Sequence, residues 1–222
     1  MSTRILVPYR GDDGGRRDEL WAFTRKWFDH LHYDIVLGGS PPGPFNRSAA
    51  VNRAAHSAGR WDVAIVHDAD TIVPTHQLQA AVTTALDTGR LTFAFTTVVD
   101  LSRDCTDHLL ATNSIDFEHL GIDGIRTAPL ATQSSALAIT RQLWDRVGGF
   151  DEQFVGWSAE DNAFCKAATI HAGEPHRIPG HAFHLWHPPG RPPGNDPNYL
   201  RNQKRWRQYQ AARTPQHLAM LR

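Results

Sequence analysis

Cysteine, net charge and long apolar runs are all scarce in this sequence, and each shortage closes off a class of protein. Cys105 and Cys165 are too few and too far apart for a disulfide framework or a zinc knuckle. They read as small buried or partly buried thiols. Lys plus Arg and Asp plus Glu both number 23, so the formal charge cancels and gives no global attraction to nucleic acid or an anionic membrane. No apolar stretch approaches the roughly 18 residues of a membrane helix. The opening Met1-Ser2-Thr3-Arg4-Ile5-Leu6-Val7-Pro8 enters a strand pattern directly, too short and too soon interrupted for a signal peptide. A soluble, cytoplasmic protein is expected. What is present is ordinary for a globular chain: 222 residues, 41% hydrophobic and 21% charged, enough for one compact domain with a substantial core.

The informative stretch is Asp62-Val63-Ala64-Ile65-Val66-His67-Asp68-Ala69-Asp70, an apolar strand that stops at two carboxylates one residue apart. A β-branched run of this kind suits a buried strand of an α/β sheet, and such sheets bind ligands beyond the carboxyl ends of their strands. Strand alternation would point Asp68 and Asp70 to the same side, where two hard oxygen donors could converge on Mg²⁺ or Mn²⁺ and through it on a diphosphate. A solvated turn after a strand would look the same in isolation.

Around that centre the chain alternates strand and helix patterns. Arg4 to Val7 reads as a strand, followed by Pro8-Tyr9-Arg10 and a loop rich in Gly and Asp; Asp18 then caps a helix to about His30. Tyr33 to Leu37 is a second strand, and the Gly- and Pro-rich loop after it leads through Phe45-Asn46-Arg47 into a helix ending near Ser57. Pro74 to Asp87 is helical, Leu91 to Val99 is strand-like, and Ser102 to Arg126 has weak periodicity and reads as surface loop with short helices. Ser135 to Thr140 is a strand and Arg141 to Val147 a short helix.

Two further stretches carry chemistry. In Gly156-Trp157-Ser158-Ala159-Glu160-Asp161, Ser158 is a plausible helix N-cap, which would place both acids in a first helical turn where the dipole favours ionised carboxylates. Asp161 would then be charged at pH 7 and able to take a proton from a hydroxyl. In His181-Ala182-Phe183-His184-Leu185-Trp186-His187, histidines spaced by three cannot all share one face of a strand, so at most one or two can join a metal. Each could equally be a hydrogen-bonded structural histidine. Beyond them, Arg191 to Pro197 is a candidate lid, and the helix from Tyr199 to about Arg213 carries Arg201, Lys204, Arg205 and Arg207, read as a solvated face with Trp206 turned inward.

Taken together, these stretches resemble the metal-dependent GT-A glycosyltransferases, especially the β-1,4-galactosyltransferase and polypeptide GalNAc-transferase groups within or close to glycosyltransferase family 2. Val7-Pro8-Tyr9-Arg10 looks like the first nucleotide-contacting loop, and Phe45-Asn46-Arg47 with Asn52 looks like the helix bordering uracil and ribose. Asp68-Ala69-Asp70 resembles the DxD motif, Ser134-Ser135-Ala136-Leu137 the segment lining the donor sugar, and Gly156 to Asp161 the Gly-Trp-Gly-Gly-Glu-Asp region that shapes the acceptor side and supplies the base. Ala182-Phe183-His184 with Pro188-Pro189-Gly190 resembles the C-terminal metal histidine, selecting His184 over His181 and His187. Two departures stand out: Ser158-Ala159 replaces two glycines, and Asp12-Asp13 falls where relatives often place another basic residue.

The resemblance implies an α/β GT-A domain over 1–222, with a mixed, mostly parallel sheet flanked by helices. Residues 1–100 would form the nucleotide half, 101–190 the acceptor and catalytic half, and 191–222 a C-terminal loop and basic helix. It implies transfer of a sugar from a nucleoside diphosphate, more plausibly UDP than GDP, to an acceptor hydroxyl, with inversion at the anomeric carbon, or with retention as in related enzymes that share most of these motifs. Asp161 would be the base, with Glu160 beside it. Pro8, Tyr9, Arg10, Phe45, Arg47, Asp68, Ala69 and Ser135 would hold the donor, Trp157 the sugar or acceptor, and Asp70, His184 and Asp68 a Mn²⁺ or Mg²⁺. Acceptors in range are a glycan, a protein, a metabolite, or a hydroxylated base of modified DNA. A nucleotidyltransferase or metal-dependent phosphohydrolase also places carboxylates at strand ends, and a non-catalytic nucleotide-sugar-binding module is the remaining alternative.

Overall fold

The structure is a computed structural model, and it describes residues 1–115, 120–127, 134–188, 190 and 192–221. Pro189 and Arg191, which belong to the expected metal-histidine segment and lid, lie outside the described residues.

The first half runs β1 (Thr3–Pro8), α1 (Arg16–Trp27), β2 (Asp34–Gly38), α2 (Arg47–Ser57), β3 (Val63–His67), β4 (Thr71–Ile72), α3 (Thr75–Thr88), β5 (Thr92–Phe93) and β6 (Thr97–Leu101). The second half runs α4 (Arg103–Thr112), β7 (Ile122–Thr127), β8 (Ala136–Thr140), α5 (Arg141–Val147), α6 (Glu160–Ala172), β9 (His176–Arg177), β10 (His181–His184), α7 (Pro197–Ala211) and α8 (Pro215–Ala219). A six-stranded sheet has the order β2-β1-β3-β8-β5-β9, and a four-stranded sheet the order β4-β10-β6-β7. In the larger sheet β1 pairs parallel to both β2 and β3, whereas β8 is antiparallel to β3 and β5. This is the mixed, mostly parallel sheet that the resemblance implies.

β1 and β3 are apolar without alternation because both faces are covered: Ile5, Leu6, Val7 and Val63 to Val66 are all buried. The helix α2 packs so closely on β2 that a Cβ at Gly38 would lie 1.8 Å from the Ala50 carbonyl oxygen. Only glycine fits there. Asn46 caps α2, its side chain accepting the Ala49 N–H at 2.9 Å, and so fixes the direction in which Arg47 leaves the helix.

Four local expectations are corrected. The run 91–99 is two strands in different sheets, because the backbone changes partners: Ala94 N–H bonds Ala136, whereas Thr96 and Thr97 N–H bond Gly180. The stretch 102–126 contains a ten-residue helix, α4, and the edge strand β7; Ile122 and Ile125 of β7 are exposed, so no apolar alternation marks it. Residues 116–119 of that stretch lie outside the described residues. The helix α1 begins at Arg16 with Gly15 as its N-cap; Asp18 sits inside the first turn and its carboxylate accepts the Gly14 and Asp12 N–H groups. Ala159, not Ser158, is the N-cap of α6, and it makes no side-chain cap bond.

Candidate active site

A cleft of about 530 Å³ opens beyond the carboxyl end of β3, within the size range of small-molecule sites. Pro8, Tyr9, Arg10, Phe45, Arg47, Asp68, Ala69, Asp70, Trp157, Glu160, Asp161 and His184 all line it. Residues from positions 8 to 184 therefore meet in one place. Ser135 does not line the cleft; its neighbour Ser134 does.

One wall is an acid–imidazole group. Asp70 follows β3 and faces β10, whose last residue, His184, pairs in register with Thr71. His184 Nε2 lies 3.9 Å from Asp70 Oδ1, and His187 Nε2 lies 3.3 Å from Asp70 Oδ2. Donor atoms of the three residues all fall within 4.8 Å of one another, the sole group of this kind among the described residues. Each ring has an oxygen at its other nitrogen: His184 Nδ1 lies 3.1 Å from Asp100 Oδ1, and His187 Nδ1 lies 2.8 Å from the Pro188 carbonyl. Both rings can thus donate from Nδ1 and keep Nε2 as a ligand atom, and a two-nitrogen, one-carboxylate set fits a first-row divalent transition-metal ion. Burial works to raise the Asp70 carboxyl, but the His187 hydrogen bond and the two imidazoles outweigh it and hold it well below its ordinary value. The His187 imidazole is raised in return, chiefly by its bond to Asp70.

The strand ends before Asp68, so alternation no longer governs the two acids and they diverge. Asp68 Oδ1 accepts from Arg47 Nη2 at 2.7 Å and Nε at 3.2 Å, and Asp68 Oδ2 accepts the Ser135 N–H at 2.9 Å. Asp68 N–H in turn bonds the Ser135 carbonyl, extending the β3–β8 ladder by one step. Asp68 is therefore joined to a cation and a backbone amide, and the acid–imidazole group contains His187 in its place.

A second group of residues lining the same cleft centres on Arg47. Its Nη1 lies 2.5 Å from Asp161 Oδ1 while the same guanidinium holds Asp68, and all three side chains are largely buried. Burial pushes the Asp161 carboxyl up, Arg47 pulls it down, and the charges of Glu160 and Asp68 push it up again; the balance lies well above the ordinary value. Burial raises Glu160 as well, against Arg47. Desolvation opposes the Arg47 cation, but Asp161, Asp68 and Glu160 more than compensate. One cation thus faces three acids, and the helix dipole does not by itself settle their ionisation.

The loop before α6 is bent sharply. Gly156, Ser158 and Ala159 have φ of 75°, 115° and 68°, a region in which Ser and Ala are strained. The helix α7 holds this loop: Asn202, 1% exposed, accepts the Val155 N–H and donates to the Val155 and Trp157 carbonyls, and Gln203 donates to Ser158 Oγ at 2.6 Å. Trp157 is 46% exposed and stacks on Tyr199 with centroids 5.9 Å apart at 25°. Arg205 of α7 pairs with Asp151 at 2.5 Å, so this part of the basic helix is anchored inward rather than solvated.

Two expected donor contacts are already engaged. Arg10 donates to the carbonyls of Gly43 and Pro41, each at 2.7 Å, and to Ser40 Oγ at 2.9 Å, pinning the loop after β2. Tyr9 donates its hydroxyl to Asp18, and burial together with that contact raises its pKa. The cleft also contains Arg17 and His187, which the motifs did not single out, while Ser134 of the expected donor-sugar segment lines it in place of Ser135. For His187 the three-residue spacing carries the signal, but strand alternation holds only as far as His184, where β10 ends.

A family model described as the N-terminal domain of galactosyltransferase matches residues 131–188. GalNAc-T7 crystallised with UDP, GalNAc and Mn²⁺ is similar in structure, with a TM-score of 0.55 and 14% identity over 94% of this chain and 49% of that one. A mycobacterial protein gives 0.53 and 14% over 84% and 68%, and the catalytic domain of Drosophila β1,4-galactosyltransferase 7 with xylobiose gives 0.50 and 18% over 79% and 64%. The chain spans about half to two thirds of the length of these structures. No curated protein sequence matches it significantly. No helix among the described residues is long and apolar enough to cross a membrane.

Proposed function

From a chain with the GT-A fold of glycosyltransferases, we propose a metal-dependent transferase that moves a sugar from a nucleoside diphosphate, UDP in the first instance, to an acceptor hydroxyl. The observation that carries this reading is the meeting of two groups in one cleft: Asp70, His184 and His187, whose donor atoms lie close together, and the acids Glu160 and Asp161. GalNAc-T7, similar in fold, was crystallised with UDP and Mn²⁺, which supports the choice of donor and metal.

Asp70, His184 and His187 would hold the cation, which when bound neutralises charge on the leaving diphosphate as a Lewis acid. Pro8, Tyr9 and Phe45 line the part of the cleft nearest the first loop and would contact the nucleotide, with Arg10 stiffening that rim through the 40–43 loop. Asp161 accepts the acceptor's hydroxyl proton. As it does so the acceptor oxygen bonds the anomeric carbon from one face, the bond from that carbon to the diphosphate oxygen breaks on the other, and UDP leaves. A single displacement of this kind inverts the anomeric centre. A carboxyl with its pKa raised into a more basic range is a better proton acceptor than an ordinary aspartate, and Arg47 pulls that pKa partly back down. Asp68 fixes Arg47, and Trp157 on Tyr199 offers a ring face to a saccharide.

The test is UDP release from UDP-galactose, UDP-glucose and their N-acetyl forms with Mn²⁺, with and without oligosaccharide acceptors. Metal-dependent release that disappears in Asp161→Asn is expected. A chain that releases no UDP from any of these, yet cleaves or forms phosphoanhydrides at the same site, would mark a phosphohydrolase or nucleotidyltransferase instead.

A further inference from the structure

The four-stranded sheet carries more than His184 on one of its faces. In parallel register His184 of β10 lies opposite Asp100 of β6, and in antiparallel register Asp100 lies opposite Gly124 of β7 while Val98 lies opposite Arg126. Residues two apart on a strand share a face, so His184, Asp100 and Arg126 stand in a row across three adjacent strands, Arg126 on the diagonal. The contacts follow: Asp100 Oδ1 is 3.1 Å from His184 Nδ1, and Arg126 clasps the same carboxylate with both arms, Nη2 to Oδ1 at 2.6 Å and Nε to Oδ2 at 2.8 Å. Gly124, directly across from Asp100, leaves that diagonal open; a Cβ there would meet Asp100 Oδ2 at 3.7 Å.

We propose that Asp100 and Arg126 are positioning residues for the metal wall, and that the β6–β7 hairpin is its brace. Asp100 accepts a hydrogen bond from His184 Nδ1, which fixes the ring tautomer and its rotation and leaves Nε2 turned toward Asp70. Arg126 holds Asp100 in the one rotamer that reaches the ring, since a bidentate guanidinium fixes both oxygens of a carboxylate. The pair gives a role to two residues of segments whose patterns announce none. His187 has only the Pro188 carbonyl at its Nδ1, so His184 is the ligand whose orientation is set by the sheet. The inference rests on the metal-dependent reading above and adds to it the residues that organise the site.

Carboxylate partners of metal-bound histidines typically change metal affinity by about 10–100-fold when removed. Mn²⁺ binding to the purified chain, read from the loss of the free-ion EPR signal on titration, should weaken by that factor in Asp100→Ala. A smaller loss is expected in Asp100→Asn, which keeps an acceptor, and in Arg126→Ala, which frees the carboxylate without removing it. Ring ¹⁵N shifts of the metal-free chain should place the His184 proton on Nδ1 and show mixed tautomers in Asp100→Ala. A parent chain that binds Mn²⁺ while Asp100→Ala binds it within twofold as well overturns the brace alone; a parent that binds no Mn²⁺ overturns the metal reading and the brace with it. A purely structural role would lower the melting temperature without moving Mn²⁺ affinity or the tautomer. If Asp100→Ala fails to fold, Arg126→Ala, on an edge strand, decides on the same readouts.

Discussion

Asp70, His184 and His187 stand on or just past strand ends, whereas Glu160 and Asp161 follow a loop in which Gly156, Ser158 and Ala159 all take positive φ. The acid–imidazole group takes its geometry from sheet register, with β10 paired on both sides and Asp100 3.1 Å from His184 Nδ1. The acid wall has no ladder. It is held by side chains reaching in from α2 and α7, Arg47 to Asp161 and Asn202 to the backbone of Val155 and Trp157. The rigid wall suits a site that must bind one cation in one way, and the side-chain-held wall suits one that must ionise, strain and adapt to an acceptor.

The difference is broken most severely at Asp161. Asp161→Asn should lower kcat by about 10²–10⁴-fold while UDP and Mn²⁺ binding stay intact, measured by steady-state turnover beside calorimetry. Because the Asp161 carboxyl is raised, turnover of the parent should fall as pH drops through a value above the ordinary aspartate figure of 3.8, where the base takes up its proton. Arg47→Met removes the cation that lowers that value, so the acid limb should move to higher pH; an unmoved limb would separate Arg47 from the base.

Stability comes next. Arg47→Ala leaves two largely buried carboxylates without their cation, and breaking a buried pair from one side costs about 3–5 kcal/mol. The Asp161 carboxyl, already raised and no longer pulled down by Arg47, then stands further above its unfolded value. The variant should be most stable below the ordinary carboxylate range and lose stability as pH rises through the raised Asp161 value, as denaturant melts across pH would report.

How much of this was legible depends on what holds each part. The apolar run 63–66 and the helix 141–147 announce themselves because burial on a regular element leaves a pattern. β7 leaves none, since an edge strand with Ile122 and Ile125 exposed reads as polar loop. The divergence of Asp68 from Asp70 and the approach of His187 both arise one to three residues past a strand end, where side-chain direction is set by the partner's backbone and not by alternation. Arg47 was placed at the donor, but nothing in its spacing shows that it bridges Asp68 and Asp161, 21 and 114 residues away.

Smaller effects sharpen the contrast. Asn202→Ala should destabilise by about 1–3 kcal/mol through the unpaired Val155 and Trp157 groups, raise the acceptor KM and leave Mn²⁺ affinity unchanged. Ala159→Gly relieves a left-handed alanine at the start of α6, against the greater chain entropy of glycine, and should stabilise by roughly 0.5–1 kcal/mol. A destabilised Ala159→Gly would contradict strain in the loop.

Thermal unfolding with UDP, with and without Mn²⁺, tests most directly the proposal that one cleft brings a metal-bound nucleoside diphosphate to a base. At about 100 times its dissociation constant UDP should add about 2.7 kcal/mol, or roughly 5–11 °C, in the presence of Mn²⁺. The same shift should be absent without the metal and in Asp70→Ala, and present in Asp161→Asn. A UDP shift that ignores both Mn²⁺ and Asp70, or no shift under any condition, would contradict it.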